Sequence, residues 1–279
     1  MAYLILAAAI ASAGPFAAVT PSHTANVRRT RRADRVRAML HLMVCVLLVG
    51  AAGLVRAEQH ATLDFTLNGR PVQADLYRPE GPPRGAVILA HGFLRTRETM
   101  SGHAEALAQQ GLFALVPDLP YITDSRENGT ALVEMITKVR AGALGQPIDR
   151  IVLVGFSAGG LSTLLAAAAP GVVGYVGLDA FDRPGGVGLA AARTLHTPAI
   201  LLRGPPSFCN AFGIATPWAL VLPNLVDERV IDGTSHCDFE SPTDSWCTLV
   251  CGATDAARQR EIREALLTAV NRLLSRDLR

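Results

Sequence analysis

From about residue 58 onward, the apolar residues follow two different spacings. In residues 61–67 and 72–77, apolar and polar side chains alternate, and Asn68-Gly69 lies between the two segments. Strict alternation is typical of strands with one buried face, and Asn-Gly is a preferred turn of a two-residue hairpin. The sequence therefore predicts that this part of the chain begins with an antiparallel β-hairpin.

Further along, short continuous apolar runs replace the alternation; they cover residues 86–90, 113–116, 150–154, 172–178, 198–202 and 229–231. Such runs indicate strands that are covered on both faces, as in a parallel sheet between layers of helices. Helix-like segments lie between or after them, at residues 99–110, 129–144, 159–169, 187–194 and 255–276. We predict one α/β domain over residues 58–279, with a mostly parallel, doubly wound sheet and helices on both faces.

Residues 1–57 have a different character and are interpreted as an N-terminal extension. Six arginines between positions 28 and 37 precede an apolar run, residues 39–55, which is followed by Arg56-Ala57. A positive flank, a short apolar core and a small-residue cleavage pattern predict a secretory signal peptide ending near Ala57. The alternative is an uncleaved membrane anchor, because about 17 apolar residues is the lower limit for crossing a bilayer. The domain is expected to be secreted or periplasmic, or in the alternative anchored outside the cytoplasm.

Composition and charge narrow the class of protein. The chain is 49% hydrophobic and 18% charged, which is sufficient for a well-buried core. Its formal net charge of +2 depends on the arginine cluster of the extension, and the remainder is slightly acidic. We therefore expect no nucleic-acid partner.

Four cysteines lie in the last third of the chain, at Cys209, Cys237, Cys247 and Cys251. In an oxidising compartment an even number predicts two disulfides, with three possible pairings. We expect Cys209–Cys237 and Cys247–Cys251, the first of which would tie the loop of His236 to a neighbouring loop. Buried free thiols are the alternative, and a zinc site is less favoured because the spacing lacks paired Cys-x-x-Cys units.

The strongest chemical motif is Gly155-Phe156-Ser157-Ala158-Gly159, directly after an apolar run and directly before a helix-like segment. This is the pattern of a nucleophile elbow, in which a serine occupies a sharp strand-to-helix turn. Glycines two residues on either side are needed because a side chain there would clash with the turn. Ser157 is therefore the candidate nucleophile, at a helix N-terminus that favours developing negative charge.

A second glycine-bearing turn, His91-Gly92-Phe93, follows an earlier predicted strand. Its glycine would let the backbone approach a substrate, so that the Phe93 N–H and the Ala158 N–H together form an oxyanion hole. We interpret His91 itself as structural rather than catalytic.

The general base is expected in a loop after the last strand. His236 is at the end of Ile231-Asp-Gly-Thr-Ser-His236, a glycine-bearing loop in that position. The other histidines have less suitable predicted positions: His41 in the apolar run of the extension, His23 and His60 outside the core, His103 on a helix surface and His196 in a loop before a strand. We therefore predict that His236 takes the proton of Ser157.

The acid that orients this histidine usually follows the penultimate strand, but residues 203–212 contain no carboxylate. The preceding strand ends in Leu178-Asp179-Ala-Phe-Asp182. Asp179, at the carboxyl end of the strand, is our candidate for the triad acid, with Asp182 as the alternative. Asp118 is interpreted as a loop or pocket residue.

Several apolar residues near these motifs are candidates for a substrate pocket, although most would be core residues in any fold: Phe93, Leu94, Leu119, Tyr121, Phe156, Phe181, Phe208, Phe212 and Trp218. Of these, Leu94, Phe156 and Phe181 are the preferred substrate-binding residues. The short distance between Leu178 and Ile231 predicts a small cap or none, and hence a fairly open site.

Taken together, the motifs resemble a known group. His91-Gly-Phe-Leu, Val116-Pro-Asp-Leu-Pro, Gly155-Phe-Ser-Ala-Gly-Gly, Leu178-Asp-Ala and the late His236 resemble chlorophyllase, platelet-activating-factor acetylhydrolase and dienelactone-hydrolase-like enzymes of the α/β-hydrolase superfamily. The resemblance spans roughly residue 86 to the C-terminus. It implies the α/β-hydrolase fold, and in the first two enzymes the acid follows the same earlier strand, as Asp179 does here. The cysteine-rich segment from Cys237 to Cys251 is not assigned to any of these enzymes.

These observations lead to one main functional hypothesis and two alternatives. A Ser-His-Asp serine hydrolase would cleave a small or medium carboxylic ester through an acyl-enzyme, and that mechanism requires neither a cofactor nor a metal. One alternative is a catalytically inactive binding protein with the same fold. The other is a lipase acting on lipid esters, although the sequence shows no amphipathic lid.

Overall fold

The alternating segments form the predicted antiparallel hairpin. In the computed structural model, which describes residues 59–276, β1 (His60–Leu67) pairs with β2 (Arg70–Tyr77) along its whole length. Asn68 and Gly69 turn the chain with φ values of 48° and 72°, the left-handed conformations that this turn requires. The signal-peptide prediction, the membrane-anchor alternative and the extension itself lie outside the described residues.

The sheet of the described residues contains eight strands in the order β1-β2-β4-β3-β5-β6-β7-β8. The remaining strands are β3 (Ala86–Ala90), β4 (Phe113–Pro117), β5 (Ile151–Phe156), β6 (Val172–Leu178), β7 (Ala199–Arg203) and β8 (Leu225–Val230). β2 joins β4 antiparallel, and all pairs from β4 to β8 are parallel. The predicted fold class, a mostly parallel sheet that begins with an antiparallel hairpin, is confirmed.

Helices cover both faces of this sheet. The described helices are α1 (Ser101–Gln109), α2 (Ser125–Arg140), α3 (Ala158–Ala166), α4 (Val187–Ala192), α5 (Trp218–Val221), α6 (Ser245–Cys251) and α7 (Ala256–Arg276), of which α6 contributes no residue to the buried clusters. Along β3, Ala86 and Ile88 belong to one buried cluster, whereas Val87 and Leu89 belong to the other. Both faces of a central strand are therefore buried, which is why its sequence is an unbroken apolar run. Among the described helices, none combines the length and the apolar character needed to cross a membrane.

The last strand differs from its prediction. The apolar run 229–231 predicts a short strand, but β8 covers Leu225–Val230 and is largely exposed. It is the edge of the sheet, and Asp227, Glu228 and Arg229 give it a charged surface. Charges on an edge strand discourage pairing with other chains, and they also remove the apolar pattern by which a strand is recognised.

The predicted exposure of His103 is wrong. His103 lies on α1 but is buried, and its Nε2 is 3.0 Å from the carbonyl oxygen of Phe239. The helix packs with this side against a 3₁₀ turn, His236–Phe239, that comes late in the chain. The sequence of α1 alone does not show which of its faces meets that turn.

The number of disulfides agrees with the prediction, but the pairing is wrong. Cys209 is bonded to Cys251 and Cys237 to Cys247, instead of Cys209–Cys237 and Cys247–Cys251. The physical reason is that Cys247 and Cys251 lie one turn apart on α6, a helix that the sequence analysis did not predict. The Cβ atoms of residues four apart on a helix are about 5–6 Å from each other. A disulfide needs about 3.5–4.5 Å between its Cβ atoms, so each of these cysteines bonds to one outside the helix.

Candidate active site

Ser157 occupies the turn between β5 and α3 with φ 52° and ψ −122°, a strained conformation for a residue with a side chain. The flanking glycines are required by contact distances. A Cβ on Gly155 would lie 2.2 Å from Thr163 Oγ1, and one on Gly159 would lie 2.3 Å from the carbonyl oxygen of His91. The turn is therefore possible only with glycine at both positions, as the elbow interpretation requires.

The structure brings Ser157, His236 and Asp179 together. His236 Nε2 lies 3.0 Å from Ser157 Oγ, and His236 Nδ1 lies 2.6 Å from Asp179 Oδ2. All three side chains are buried, and the imidazole lies against the ring of Phe156 at a centroid distance of 4.7 Å. Such a serine–imidazole–carboxylate chain is the arrangement in which a histidine activates a hydroxyl group.

Asp179 is held by two further donors. The backbone N–H of Gly204 donates to Oδ1 at 3.0 Å, and Asn210 Nδ2 lies 3.2 Å from Oδ1 and 3.3 Å from Oδ2. Asn210 is itself buried, and its Oδ1 accepts hydrogen bonds from the backbone of Ser207 and Gly213. The sequence analysis missed Asn210, since only the folded loop after β7 brings it to the carboxylate.

Asp182 binds the start of α4 and the core residue Trp218. Its carboxylate accepts hydrogen bonds from the backbone N–H groups of Gly188 and Leu189, each at 2.8 Å, and from Trp218 Nε1 at 2.9 Å. It therefore satisfies the first N–H groups of α4 and fixes a core tryptophan. It makes no hydrogen bond to His236, which distinguishes it from Asp179.

The turn after β3 holds one peptide group in a defined direction. The carbonyl oxygen of Gly92 accepts from the backbone N–H of Arg95 at 3.2 Å and lies 2.9 Å from His91 Nδ1. Because a trans peptide is planar, fixing the Gly92 carbonyl also fixes the N–H of Phe93 on its opposite side. Phe93 and Ala158 both line the cavity into which Ser157 opens.

His91 is held as a neutral ring. Its Nε2 accepts a hydrogen bond from the backbone N–H of Leu119 at 2.9 Å, so Nδ1 carries the hydrogen that is donated to Gly92. Burial lowers the pKa of His91, which keeps the imidazole uncharged. Its contacts are those of a residue that positions the turn, and it does not contact Ser157 by a hydrogen bond.

Charged residues fix the loop that carries His236. Arg95 donates from Nε to Glu240 Oε1 at 2.6 Å and from a second nitrogen to Oε2 at 2.8 Å, although Glu240 is completely buried. Asp238, also buried, accepts from the backbone of Ser235 at 2.8 Å and from Arg258 Nε at 2.7 Å. Breaking a buried ion pair is costly because it leaves a charge without a partner. Sequence reasoning missed these pairs, which join distant parts of the chain.

Ser157 and His236 open into a cavity of about 610 Å³. The three preferred substrate-binding residues, Leu94, Phe156 and Phe181, all line it. Phe93 and Phe208 line it as well, but Leu119, Tyr121, Phe212 and Trp218 do not, and Trp218 is completely buried in the core. The cysteine-rich segment contributes Trp246 and Val250, which the sequence analysis did not identify.

The sulfur atoms of Cys237, Cys247 and Cys251 lie within 4.8 Å of one another. Thiolate clusters of this kind can bind zinc. Here all three belong to the two disulfides, which accounts for their proximity and leaves no thiolate among them.

Comparison with solved structures identifies the architecture. The chain is similar to a dienelactone hydrolase from Anabaena variabilis, with a TM-score of 0.62 and 19% identity over 76% of this chain and 96% of that one. It is similar to the esterase domain of a Rhodothermus marinus protein, with a TM-score of 0.59 and 17% identity over 77% and 98%. An α/β serine hydrolase without a lid from Xanthomonas campestris gives a TM-score of 0.56 and 16% identity over 77% and 95%.

Sequence comparison alone gives no assignment. No protein-family profile matches the chain, and no curated protein sequence matches it at a significant level. The structural similarity, with the sheet order and the strand-to-helix serine turn, establishes the architecture. The chain has the α/β-hydrolase fold.

Proposed function

We propose that the protein is a serine hydrolase that cleaves carboxylic esters, with Ser157 as nucleophile, His236 as general base and Asp179 as the acid that orients the base. The main observation in support is the hydrogen-bonded chain from Ser157 Oγ through His236 to Asp179, with distances of 3.0 and 2.6 Å, at the wall of a cavity. The names of the similar structures, an esterase domain and a dienelactone hydrolase, support the same class of reaction.

The reaction has two steps. His236 Nε2 takes the proton of Ser157 Oγ as this oxygen attacks the ester carbonyl, and the protonated imidazole then gives that proton to the departing alcohol. A water molecule next attacks the acyl-enzyme, with His236 taking its proton and returning it to Ser157. Asp179 stabilises the positive imidazole through its 2.6 Å contact with Nδ1.

The amides of Phe93 and Ala158 are proposed to hold the negative oxygen of each tetrahedral intermediate. Ala158 is the first residue of α3, and the first N–H groups of a helix have no partner within it. The Phe93 amide belongs to the peptide that His91 and Arg95 fix. Two donors held before the reaction need no reorganisation as charge develops, and losing one costs about 10²–10³ in turnover in known cases.

The substrate is proposed to be a small or medium ester. A cavity of about 610 Å³ falls within the range of small-molecule sites, roughly 300–1,000 Å³. It is open enough for solvent to reach several of its lining side chains, such as Leu94 and Phe208. One of the similar structures is described as lacking a lid, in keeping with an open site.

We propose that the domain acts outside the cytoplasm, as a secreted or periplasmic enzyme. The two disulfides support this location, because disulfides persist mainly in oxidising compartments. The alternative, a domain anchored by an uncleaved N-terminal segment, is distinguished by mass spectrometry of the exported protein, which gives an N-terminus near residue 58 only after cleavage.

The decisive experiment compares the wild type with Ser157→Ala on p-nitrophenyl acetate. Wild-type turnover with loss to background in Ser157→Ala is the expected result. Ser162→Ala is the matched control, because Ser162 lies on the same helix but hydrogen-bonds to the carbonyl of Ala158. A fluorophosphonate should label the wild type at Ser157. If the folded, oxidised wild type neither reacts with the fluorophosphonate nor cleaves the ester, the chain is an inactive binding protein and the proposal is wrong.

A further inference from the structure

Every half-cystine in the described chain directly follows a residue that lines the cavity. The four pairs of neighbours are Phe208 with Cys209, His236 with Cys237, Trp246 with Cys247, and Val250 with Cys251. The disulfides are therefore placed at the cavity wall, where they restrain the backbone next to these lining residues.

The pairing decides which parts of the wall are joined. Cys209–Cys251 links the loop of Phe208 to the end of α6, where Val250 lies, with Cα atoms 5.6 Å apart. Cys237–Cys247 links the turn that carries His236 to the residue after Trp246, with Cα atoms 5.9 Å apart. As a result, α6 is bonded covalently both to the loop of the candidate base and to the loop after β7.

Two of the residues that precede a half-cystine have large, apolar and exposed side chains. Phe208 is 76% exposed and Trp246 is 62% exposed, and two other residues that line the cavity, Leu94 and Ile122, are 61% and 68% exposed. Single exposed apolar residues are common on protein surfaces, but a contiguous group around one opening indicates a binding surface. These four line the same cavity as Ser157, so they form one surface, which we call the apolar rim.

Two of the three arginine and glutamate side chains that line this cavity form an ion pair, and the third, Arg183, is exposed. Arg95 and Glu240 pair with each other, and Arg183 donates to the carbonyl of Thr123 at 2.6 Å. A charged ligand group would have to compete with the Arg95–Glu240 pair, and of the described lining residues only the exposed Arg183 offers an anion a charge, whereas an uncharged apolar group would bury the rim without displacing an ion pair.

We propose that the apolar rim binds the hydrocarbon part of the substrate, and that Trp246 and Phe208 are specificity-determining residues. The substrate is then an uncharged ester of medium size that carries an alkyl chain or an aryl group, bound with this group against the rim and its carbonyl at Ser157. This inference rests on the proposed ester hydrolysis and narrows its substrate class. Aromatic side chains are large and have few rotatable bonds, and here the disulfides hold the backbone next to them, so they lose little entropy when they bind, which favours their use as anchors.

The kinetic test compares p-nitrophenyl octanoate with p-nitrophenyl acetate. The wild type should prefer octanoate, and the ratio of the two kcat/KM values should fall at least about tenfold in Trp246→Ala and in Phe208→Ala, as expected for lost apolar contacts. Leu249→Ala is the matched control, because Leu249 is 79% exposed on the same helix but does not line the cavity. An unchanged ratio in both rim variants, or a wild type that prefers acetate, overturns the inference.

A binding test does not depend on turnover. The chain has two tryptophans, and Trp218 is completely buried, so a change in emission on binding reports on Trp246. Adding 2-decanone, an uncharged chain that cannot be hydrolysed, to Ser157→Ala should shift this emission to shorter wavelength in a saturable manner. When Phe208→Ala is combined with Ser157→Ala, 2-decanone should bind about tenfold more weakly, whereas combining Leu249→Ala with Ser157→Ala should leave binding unchanged.

The two tests separate the possible failures. If the protein cleaves acetate but 2-decanone causes no saturable shift, the substrate class is wrong and the proposed hydrolase activity stands. If 2-decanone binds with the expected dependence on Phe208 but the wild type cleaves neither ester, the rim is a binding surface and the hydrolase proposal fails.

Discussion

The two sides of the candidate site are held in different ways. Ser157 and Asp179 follow adjacent parallel strands and are fixed by the sheet, since the N–H of Ser157 donates to Leu178 and the N–H of Asp179 donates to Leu202. His236 and α6 belong to the segments that follow the last strands. We call Ser157 and Asp179 with their strand ends the strand-end side of the site, and His236, α6 and the loop after β7 the loop side. The loop side is held by two disulfides and by ion pairs such as Arg95–Glu240.

This difference separates chemistry from specificity. The positions of Ser157 and Asp179 depend on strand ends, whose spacing is set by backbone hydrogen bonds that most side-chain changes leave intact. The candidate base, His236, is the one member of the proposed triad that the linked loops hold. The shape of the apolar rim depends on cross-links between loops, so it can change without altering the sheet. Substitutions at strand ends should therefore affect turnover, and substitutions in the linked loops other than at His236 should affect mainly stability and substrate preference.

The largest effect is expected at Asp179. Asp179→Asn should lower kcat by about 10⁴, because an amide no longer stabilises the positive imidazole or selects its tautomer. Asp182→Asn is the matched change three residues away, and there the carboxylate bonds to α4 and Trp218. It should instead lower the free energy of unfolding by about 2 kcal/mol, with turnover of the folded enzyme retained. Urea unfolding and p-nitrophenyl acetate kinetics on both variants check this, and the reverse pattern would reassign the acid to Asp182.

The next largest effect is the loss of stability expected when either disulfide of the loop side is removed. Replacing Cys209 and Cys251 by serine opens a link across 42 residues and should lower the free energy of unfolding by about 4 kcal/mol on the chain-entropy estimate. Replacing Cys237 and Cys247 opens one across 10 residues and should cost about 3 kcal/mol. Denaturant unfolding of both double variants, compared with the wild type, tests this order. Equal stabilities in all three proteins would show that the ion pairs alone hold the loops.

The same division explains what the sequence could predict. The strand-end side has local signatures: an unbroken apolar run, then Gly155-Phe-Ser157-Ala-Gly159, then a helix. The glycines are required by clashes within a few residues, so the pattern is readable from one stretch of chain. Asp179 was located by the same reasoning, as the residue after an apolar run.

The loop side has no such local signature. Four cysteines allow three pairings, and the pair favoured from the sequence placed Cys247 with Cys251 because their helix was not recognised. Asn210 approaches Asp179, and Glu240 approaches Arg95, across 31 and 145 residues of chain. Contacts that depend on such long separations come from the packing of the whole domain, which periodicity does not report.

A smaller effect should appear when the pH is lowered. Burial lowers the pKa of His103 from 6.5 to about 4, so the folded protein holds this ring neutral while the unfolded chain protonates it. The folded pKa is the lower one, so stability is highest above pH 6.5 and falls as the pH drops towards 4. The loss from this residue is about 2 kcal/mol at pH 5 relative to pH 8.

Urea unfolding of the wild type and of His103→Gln at pH 8 and pH 5 isolates this contribution. Glutamine can still donate to the carbonyl of Phe239 but does not titrate, so the free energy of unfolding of His103→Gln should depend less on pH than that of the wild type. Phe239 ends the turn that begins with His236, so loss of the His103 contact at low pH should destabilise the loop side of the site. Equal pH dependence in the two proteins would show that His103 is not the responsible group.

The smallest effect expected is at His91, and it tests whether the strand-end side extends to the proposed oxyanion donors. His91→Ala removes the ring that holds the Gly92 carbonyl, while the Arg95 N–H still bonds to it at 3.2 Å. A Phe93 amide that is less firmly held should lower kcat about tenfold, less than the loss of a donor, with KM nearly unchanged. His91→Asn keeps a donor near the position of Nδ1 and should recover part of this loss. If KM rises while kcat is constant, or if the two variants are equally impaired, His91 acts only through the packing of the turn and the oxyanion donors are held by the backbone alone.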